Sequence, residues 1–276
     1  MKTAYFWLTP QGKQLAEQLQ AHFGGTVEPK ADFAETVRRA FTDCDALVFV
    51  MATGIVVRTI APLVQSKASD PAVLVLDQRG KHVISLLSGH LGGANAMAEQ
   101  AAAYLGGEAV ITTATDVEHV PAFDLFAKEN HLTIENLEEL KYISGALVAG
   151  EPVSLCTAFP VEKNAFPETV QLQSFSETPW HACAVAIADT TESVAAPHVL
   201  YLRPKSLVLG VGCKKQIPPA HLEQCFLTFL QEHHLGLSAV EKLATIGLKR
   251  EEPAILALCE KYRLPLEIVA DADIQA

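Results

Sequence analysis

The motifs that mark several common enzyme classes are missing from this sequence of 276 residues. It contains no Gly-x-x-x-x-Gly-Lys phosphate loop, no His-Glu-x-x-His zinc motif and no Gly-x-Ser-x-Gly nucleophile elbow. The strongest sequence signatures of a P-loop nucleotidase, a zinc peptidase and an α/β-hydrolase are therefore absent.

Paired cysteines and long apolar runs are also missing. No Cys-x-x-Cys occurs, so we expect each cysteine to be a buried, reduced thiol of a cytoplasmic protein. No apolar run reaches the length of a transmembrane helix, and the run that Pro10 ends is too short for a signal-peptide core. We therefore expect no membrane association. The six cysteines are Cys44, Cys156, Cys183, Cys213, Cys225 and Cys259.

Positive charge is scarce relative to negative charge. The chain has 21 lysines and arginines against 32 aspartates and glutamates, which gives a formal net charge of −11. No basic stripe interrupts this balance, which argues against nucleic acid or an anionic membrane as the main partner. An acidic small molecule remains compatible with such a chain, but only if a local cationic pocket receives it.

What is present is the composition of a globular α/β protein, with 49% hydrophobic residues. Uninterrupted apolar runs at 46–51 and 72–76 are typical of strands that are covered on both faces of a parallel sheet. The fold prediction is an N-terminal open, mostly parallel sheet, a small β-rich middle region and a C-terminal α/β domain. The predicted boundaries are 1–135, 136–204 and 205–276.

A glycine-rich loop at residues 86–95 is the most informative stretch. It lies between a predicted strand at 81–85 and a predicted helix at 94–105, so its glycines approach a helix N-terminus. Free N–H groups there suit a carboxylate or a phosphate, and His90 can act as an acid or a base. The alternative is a strand-to-helix turn in which the glycines serve close packing.

Polar residues follow three predicted strands, at 51–54, 88–93 and 112–116. Ligands of open α/β sheets bind outside the carboxyl ends of the strands, so we expect these three ends to converge on one crevice. Arg58 either lies along a helix edge with its charge in water or directs its guanidinium at a ligand carboxylate.

The C-terminal region contains Gly210-Val211-Gly212 after a predicted strand. The third glycine of a dinucleotide fingerprint is replaced by Lys215, which disfavours a dinucleotide-dependent enzyme. Two alternatives stay open for the lysines, an anion-binding turn or solvated charges before a helix. Ser238, with Glu241 three residues later, predicts a capped helix at 239–243.

Candidate catalytic residues come from the glycine-rich loop and the third strand end. His90 is the favoured general acid/base or oxyanion donor. Ser88 is either a nucleophile or a structural residue, and Asp116 completes the candidate set. His90 alone does not form a metal site, so no metal-binding residues are predicted.

The sequence resembles the cobalt-precorrin-5A hydrolase family. The N-terminal resemblance rests on Thr53-Gly54-Ile55-Val56-Val57-Arg58, on Asp70-Pro71-Ala72-Val73, on the loop at 86–95 and on Val110–Asp116, in family order. The C-terminal resemblance rests on 210–214 and 244–252, while the middle region is similar only in position. The family's C-terminal domain continues by another strand and helix, so the resemblance implies that the last domain here is incomplete at Ala276.

The resemblance implies a cytoplasmic enzyme of the anaerobic route to cobalamin. This family opens the δ-lactone of cobalt-precorrin-5A and releases acetaldehyde to give cobalt-precorrin-5B. No cofactor is expected, because the substrate carries the cobalt. An alternative is a non-catalytic tetrapyrrole-binding or carrier protein, and a homodimer stays open.

The implied partner is an anionic cobalt tetrapyrrole, whose carboxylates give the cationic side chains and glycine N–H groups a purpose. The candidate substrate-binding residues are Thr53, Gly54, Arg58, Lys67, Gly89, Gly92, Gly93, Asn95, Thr113, Gly210, Gly212 and Lys214.

Overall fold

The computed structural model describes residues 1–67, 69–161 and 166–270. Contacts between Cα atoms divide the chain into two compact units, one comprising residues 1–125 and the other beginning at Phe126. Each unit is described separately below. The three-part division at residues 135/136 and 204/205 stays a prediction.

The first unit is built on a six-stranded sheet of order β2-β1-β3-β4-β5-β6. Four of the five neighbouring pairs are parallel, and only β4 and β5 are antiparallel. The expected open, mostly parallel sheet is thereby confirmed. The strands are β1 (Thr3–Trp7), β2 (Thr26–Val27), β3 (Ala46–Val50), β4 (Ala72–Leu76), β5 (His82–Leu87) and β6 (Glu108–Val110). The helices are α1 (Pro10–Phe23), α2 (Phe33–Asp43), α3 (Thr53–Ile60), α4 (Ala94–Leu105) and α5 (Ala114–Val117), and α6 (Phe123–Glu129) begins in this unit.

Helices cover both faces of this sheet, which is why its central strands are uninterrupted apolar runs. All residues of β3 and β4 are buried. One face packs on α1 and α4, and the other packs on α2 and α3. Phe6 and Phe49 stack on the second face with their ring centroids 4.8 Å apart.

The antiparallel pairing of β5 decides where the polar strand ends lie. Leu87, at the end of β5, pairs with Val73 at the start of β4, whereas Val83 pairs with Leu76. The carboxyl ends of β5 and β6 therefore lie at the opposite sheet edge from those of β1, β3 and β4. The expectation that the ends at 51–54, 88–93 and 112–116 converge on one crevice is wrong. A short turn at 78–81 closes β4 and β5 into a hairpin, and a hairpin reverses strand direction.

The described residues of the second unit form two sheets. The first has the order β7-β11-β10-β8-β9, with only β7 antiparallel, and the second is a parallel sheet of order β12-β13-β14. The expected β-rich middle region and C-terminal α/β region are confirmed. The strands are β7 (Leu132–Ile134), β8 (Val153–Thr157), β9 (Val170–Gln173), β10 (Cys183–Ile187), β11 (His198–Pro204), β12 (Leu207–Gly210), β13 (Val240–Ile246) and β14 (Leu266–Val269). The helices are α7 (Leu140–Val148), α8 (Pro219–Glu232) and α9 (Pro253–Tyr262).

Two local predictions are wrong. Residues 240–243 begin β13, because the Ser238 hydroxyl donates to Glu135 and caps no helix, while Val240 and Leu243 are buried against α8 and α9. All six cysteines are free thiols, as expected, but only Cys156 and Cys183 are buried, and Cys225 is exposed on α8. Among the described residues, no helix is long and apolar enough to cross a membrane.

Candidate active site

The glycine-rich loop joins β5 to α4 in a tightly packed turn. Ser88 has a positive φ of 58° and Gly93 one of 87°. A Cβ on Gly92 would lie 2.4 Å from the Cβ of Ser88, and a Cβ on Gly89 would lie 2.7 Å from Oδ1 of Asn95. Close packing thus accounts for both glycines, in agreement with the structural alternative stated for this loop.

Three backbone amides at the N-terminus of α4 donate hydrogen bonds to carbonyls within the loop. The amide of Gly93 donates to the carbonyl of His90, that of Ala94 to Ser88 and that of Asn95 to Gly89. These three N–H groups are therefore already bonded within the loop. Anion binding by the loop glycines stays a prediction, and it would have to use other donors or a rearranged loop.

His90 lies between two carboxylates. Its Nε2 is 2.7 Å from Oδ2 of Asp116, and its Nδ1 is 3.2 Å from Oδ1 of Asp124. The imidazole and Asp124 are nearly buried, with side-chain exposures of 12% and 9%, while Asp116 is 35% exposed. The structure therefore brings together His90 and Asp116, two of the three predicted catalytic residues, and adds Asp124. We call these three side chains the His90 cluster.

The cluster favours a charged imidazole. The hydrogen bond to Asp124 is the main cause that raises the pKa of His90 to about 9; burial opposes it, and Asp116 adds to it. Burial alone would raise the pKa of Asp124, but the hydrogen bond and charge of His90 outweigh burial and lower it. At neutral pH both ring nitrogens carry protons and both face carboxylates. His90 is then an imidazolium with no lone pair to accept a proton.

Asn95 supports Asp116 from the first turn of α4. Its Nδ2 donates to Oδ2 of Asp116 at 3.0 Å and to Oγ1 of Thr113 at 3.2 Å, while its Oδ1 accepts from Ser85 at 2.6 Å. The residue is buried. Its contacts hold the carboxylate in place, so the predicted substrate contact by Asn95 or Thr113 would require these bonds to be shared.

Ser88 is not activated by His90 in this geometry. Its hydroxyl is buried and has no hydrogen-bond partner within the described part of the chain. A serine nucleophile needs a base within hydrogen-bond reach, and His90 is bonded to the two aspartates instead. The structural role of Ser88 is the one that the loop geometry supports.

The other predicted binding residues are dispersed. Lys67 lies close enough to the cluster for its charge to lower the pKa of Asp124. Thr53, Gly54 and Arg58 lie on α3, which begins at the opposite sheet edge, and Arg58 is exposed with its guanidinium near Gly54.

In the second unit, Gly210 and Gly212 line a cavity of about 450 Å³ at the carboxyl ends of β12, β13 and β14. Lys214 is exposed beside it. Within the described ranges, no group of three or more His, Cys, Asp or Glu side chains is arranged to hold a metal ion.

Sequence reasoning missed Ser85 and Asp124. Asp124 is the second residue of the short helix α6, in no recognisable motif, and Ser85 looked like an ordinary strand residue. Strand β5 offered one signal for Ser85, because this polar residue lies in an otherwise apolar run.

The charge state of the cluster predicts a pH-dependent stability. Because the folded pKa of His90 exceeds its ordinary value of 6.5, its stabilisation is complete below about pH 6.5 and is lost as the pH rises through about 9. Asp124 has the opposite pH dependence, because its folded pKa is lowered. Its contribution to the stability of the fold is present above its ordinary pKa and is lost only in acid. The free-energy difference between wild type and Asp124→Asn should therefore shrink by roughly 1–3 kcal/mol between pH 6.5 and pH 9.5.

Urea unfolding, followed by the fluorescence of Trp7 in a Trp180→Phe background, reports on the first unit. Asp43→Asn is the control, because Asp43 is an exposed carboxylate at the end of α2. A difference between wild type and Asp124→Asn that stays constant over this pH range would contradict the charged cluster.

Comparison with known proteins gives one family along most of the chain. Sequence profiles match residues 35–116 (Cobalamin synthesis G N-terminal), 121–204 (Cobalamin biosynthesis central region) and 207–276 (Cobalamin synthesis G C-terminus).

Three curated relatives agree with the profiles. The cobalt-precorrin-5A hydrolase of Salmonella typhimurium is 36% identical over 96% of this chain and 80% of its own length. The cobalt-precorrin-5A hydrolase of Priestia megaterium is 34% identical over 80% of this chain and 63% of its own. A relative from Methanocaldococcus jannaschii is 27% identical over 97% of this chain and 78% of its own. The chain therefore belongs to the cobalamin synthesis G family, which includes these cobalt-precorrin-5A hydrolases.

Proposed function

We propose that this chain hydrolyses cobalt-precorrin-5A, opening its δ-lactone with loss of acetaldehyde to give cobalt-precorrin-5B. The observation that carries the proposal is the 36% identity, over 96% of the chain, to a relative of that name. The His90 cluster supplies charged groups suited to the proton transfers that the reaction needs. The alternative of a carrier without chemistry is not favoured, since the relatives from Salmonella typhimurium and Priestia megaterium are both named as hydrolases.

The reaction requires a base that accepts a proton in each of two steps. Water first adds to the lactone carbonyl, and the tetrahedral intermediate expels the ring oxygen to leave a carboxylate and an alcohol. The alcohol then loses its proton, the carbon–carbon bond breaks, acetaldehyde leaves and the electron pair passes into the macrocycle, which is reprotonated. A positioned base and an adjacent positive charge serve both steps.

Asp116 is assigned as the base. It is the most exposed member of the cluster, and its carboxylate is held by His90 and Asn95. The His90 imidazolium, anchored from behind by Asp124, offsets the negative charge and can return a proton as an acid. This assignment narrows the predicted role of His90 from general acid/base to acid, because both of its ring nitrogens carry protons at neutral pH.

Lys67 is assigned to bind a carboxylate of the substrate. It is exposed at this sheet edge, near the cluster. The roles proposed for Gly89, Gly92 and Gly93 are backbone contacts to the same substrate. Cytoplasmic location, a homodimer, the lack of a resident cofactor and the lack of nucleic-acid binding are further parts of the proposal.

Removal of the acid or the base should abolish most turnover. His90→Ala and Asp116→Asn should each lower kcat by roughly two to four orders of magnitude, because each removes a positioned proton-transfer group. Acetaldehyde release from cobalt-precorrin-5A is the measurement. His221→Ala, an exposed histidine on α8, and Asp43→Asn are the matched controls and should retain the wild-type rate.

Tight binding of the substrate by wild-type protein with no acetaldehyde released would contradict the hydrolase assignment and support the carrier. Full activity of both cluster variants would leave the hydrolase assignment standing but move the chemistry away from His90.

The pH dependence distinguishes an acidic His90 from a basic one. The value of kcat/KM should fall as the pH rises through about 9, because the imidazolium is lost there. Asp124→Asn removes the main cause of the raised pKa, so the decline should begin at lower pH in that variant. A rate that rises through pH 9 would instead identify His90 as the base.

A further inference from the structure

A second cavity lies at the sheet edge opposite the His90 cluster. Its volume is about 660 Å³, and it opens at the carboxyl ends of β1, β3 and β4. No member of the cluster is among its lining residues. Pockets for small molecules in proteins occupy roughly 300–1,000 Å³, so this cavity has the size of a ligand site.

The cavity lies where the strand order of the sheet reverses. The chain passes from β1 to β2 on one side and then returns to place β3 on the other side of β1. The residues after β1 and β3, including Leu8 and Thr53, diverge at this point and line the cavity. In open α/β sheets, ligands bind in the crevice at such a reversal.

The walls favour an apolar ring. Side chains such as Leu8, Met51, Ile55, Ile84 and Val110 come from several elements and form most of the lining. Neither lysine nor arginine is among the residues that line it. His82 also lines the cavity, but its Nδ1 lies 3.4 Å from Oδ2 of Asp77. A polyanionic ligand would therefore lose hydration here without gaining an unpaired cationic partner.

The polar groups lie together along one side. Thr9 donates to Oε1 of Gln78 at 3.3 Å, and Asp77 beside them accepts from the amides of Arg79 and His82 at 2.8 and 2.7 Å. Burial would raise the pKa of Asp77, but these hydrogen bonds outweigh burial and lower it. The fixed negative charge further disfavours an anion, while the hydroxyl and amide can bond to an uncharged polar edge.

We infer that this cavity binds an uncharged, planar heteroaromatic group of nucleoside size, packed between the apolar walls with its polar edge towards Thr9 and Gln78. The site is separate from the His90 cluster and does not depend on the proposed reaction. Thr53, a candidate binding residue from the sequence, lines this cavity and has no part in the His90 cluster. A purine and a flavin-type ring share the required chemistry.

The test uses adenosine and riboflavin as probes, with the full chain labelled by ¹³C at its methionine methyl groups. The chain has three methionines, of which Met51 lines the cavity and Met97 lies on α4 with its side chain in the core. Saturable binding by calorimetry should shift the Met51 signal and leave Met97 unchanged. Binding of adenosine alone would identify a purine site, and binding of riboflavin alone would identify a flavin-type site.

Two variants test the location. Ala52→Trp places a large side chain in the lining and should weaken binding at least tenfold, whereas Ala61→Trp, at the other end of α3, should not. Gln78→Leu removes the polar edge and should also weaken binding, while an unchanged Met97 signal reports that the first unit is folded.

Failure of both probes to saturate, or a Met51 signal that does not move, would overturn the inference. Wild-type affinity in both Ala52→Trp and Gln78→Leu would overturn the location. Binding of glutarate at this site with comparable affinity would overturn the assignment to an uncharged ligand.

Discussion

The hydrogen-bonded ion cluster of Asp116, His90 and Asp124 is the interaction on which the candidate site depends. A histidine buried in apolar surroundings loses its proton readily, because burial disfavours the charged form. Two carboxylates reverse that preference here and raise the pKa of His90 to about 9. Removing one partner would leave an uncompensated charge, which costs more than the pair itself contributes.

The surrounding loop makes this arrangement rigid. Gly89 and Gly92 allow the chain to pass close to Asn95 and Ser88, and Asn95 in turn bonds to Asp116. Packing, hydrogen bonding and charge thus converge on the partly exposed carboxylate of Asp116. The glycines serve the His90 cluster indirectly, by allowing the loop to close around it.

The hairpin of β4 and β5 gives the sheet of the first unit two different edges. One edge carries the His90 cluster and Lys67, and is therefore charged. The other carries the apolar cavity at the strand reversal, whose lining includes Asp77. A polyanionic tetrapyrrole and an uncharged ring would meet opposite electrostatic conditions at the two edges.

Much of the fold was predictable because local pattern and tertiary environment agree. The apolar runs at 46–51 and 72–76 are strands since both sheet faces are covered, and the glycine-rich loop precedes a helix as its composition indicates. The prediction at 239–243 was wrong because burial of Val240 and Leu243 outweighed a capping pattern. The convergence of the three strand ends was predicted wrongly, because the rule for parallel sheets does not hold across a hairpin. The turn at 78–81, which reverses the strand direction, was visible in the sequence.

The candidate site was predictable only in part, for a related reason. His90 and Asp116 belong to motifs, so their residue types and positions drew attention. Asp124 belongs to none, and its contact with His90 depends on how α6 begins beside the loop. Sequence alone therefore indicated proton transfer at His90, whereas the second carboxylate changes the protonation state and with it the role.

Direct observation of the ring protons of His90 tests the central claim. Nitrogen-15 NMR of the full chain at pH 7.5, with His90 assigned by comparison with His90→Gln, distinguishes a protonated ring nitrogen from an unprotonated one. The charged cluster predicts that both ring nitrogens of His90 carry a proton at this pH. A spectrum in which one of them is unprotonated would contradict it.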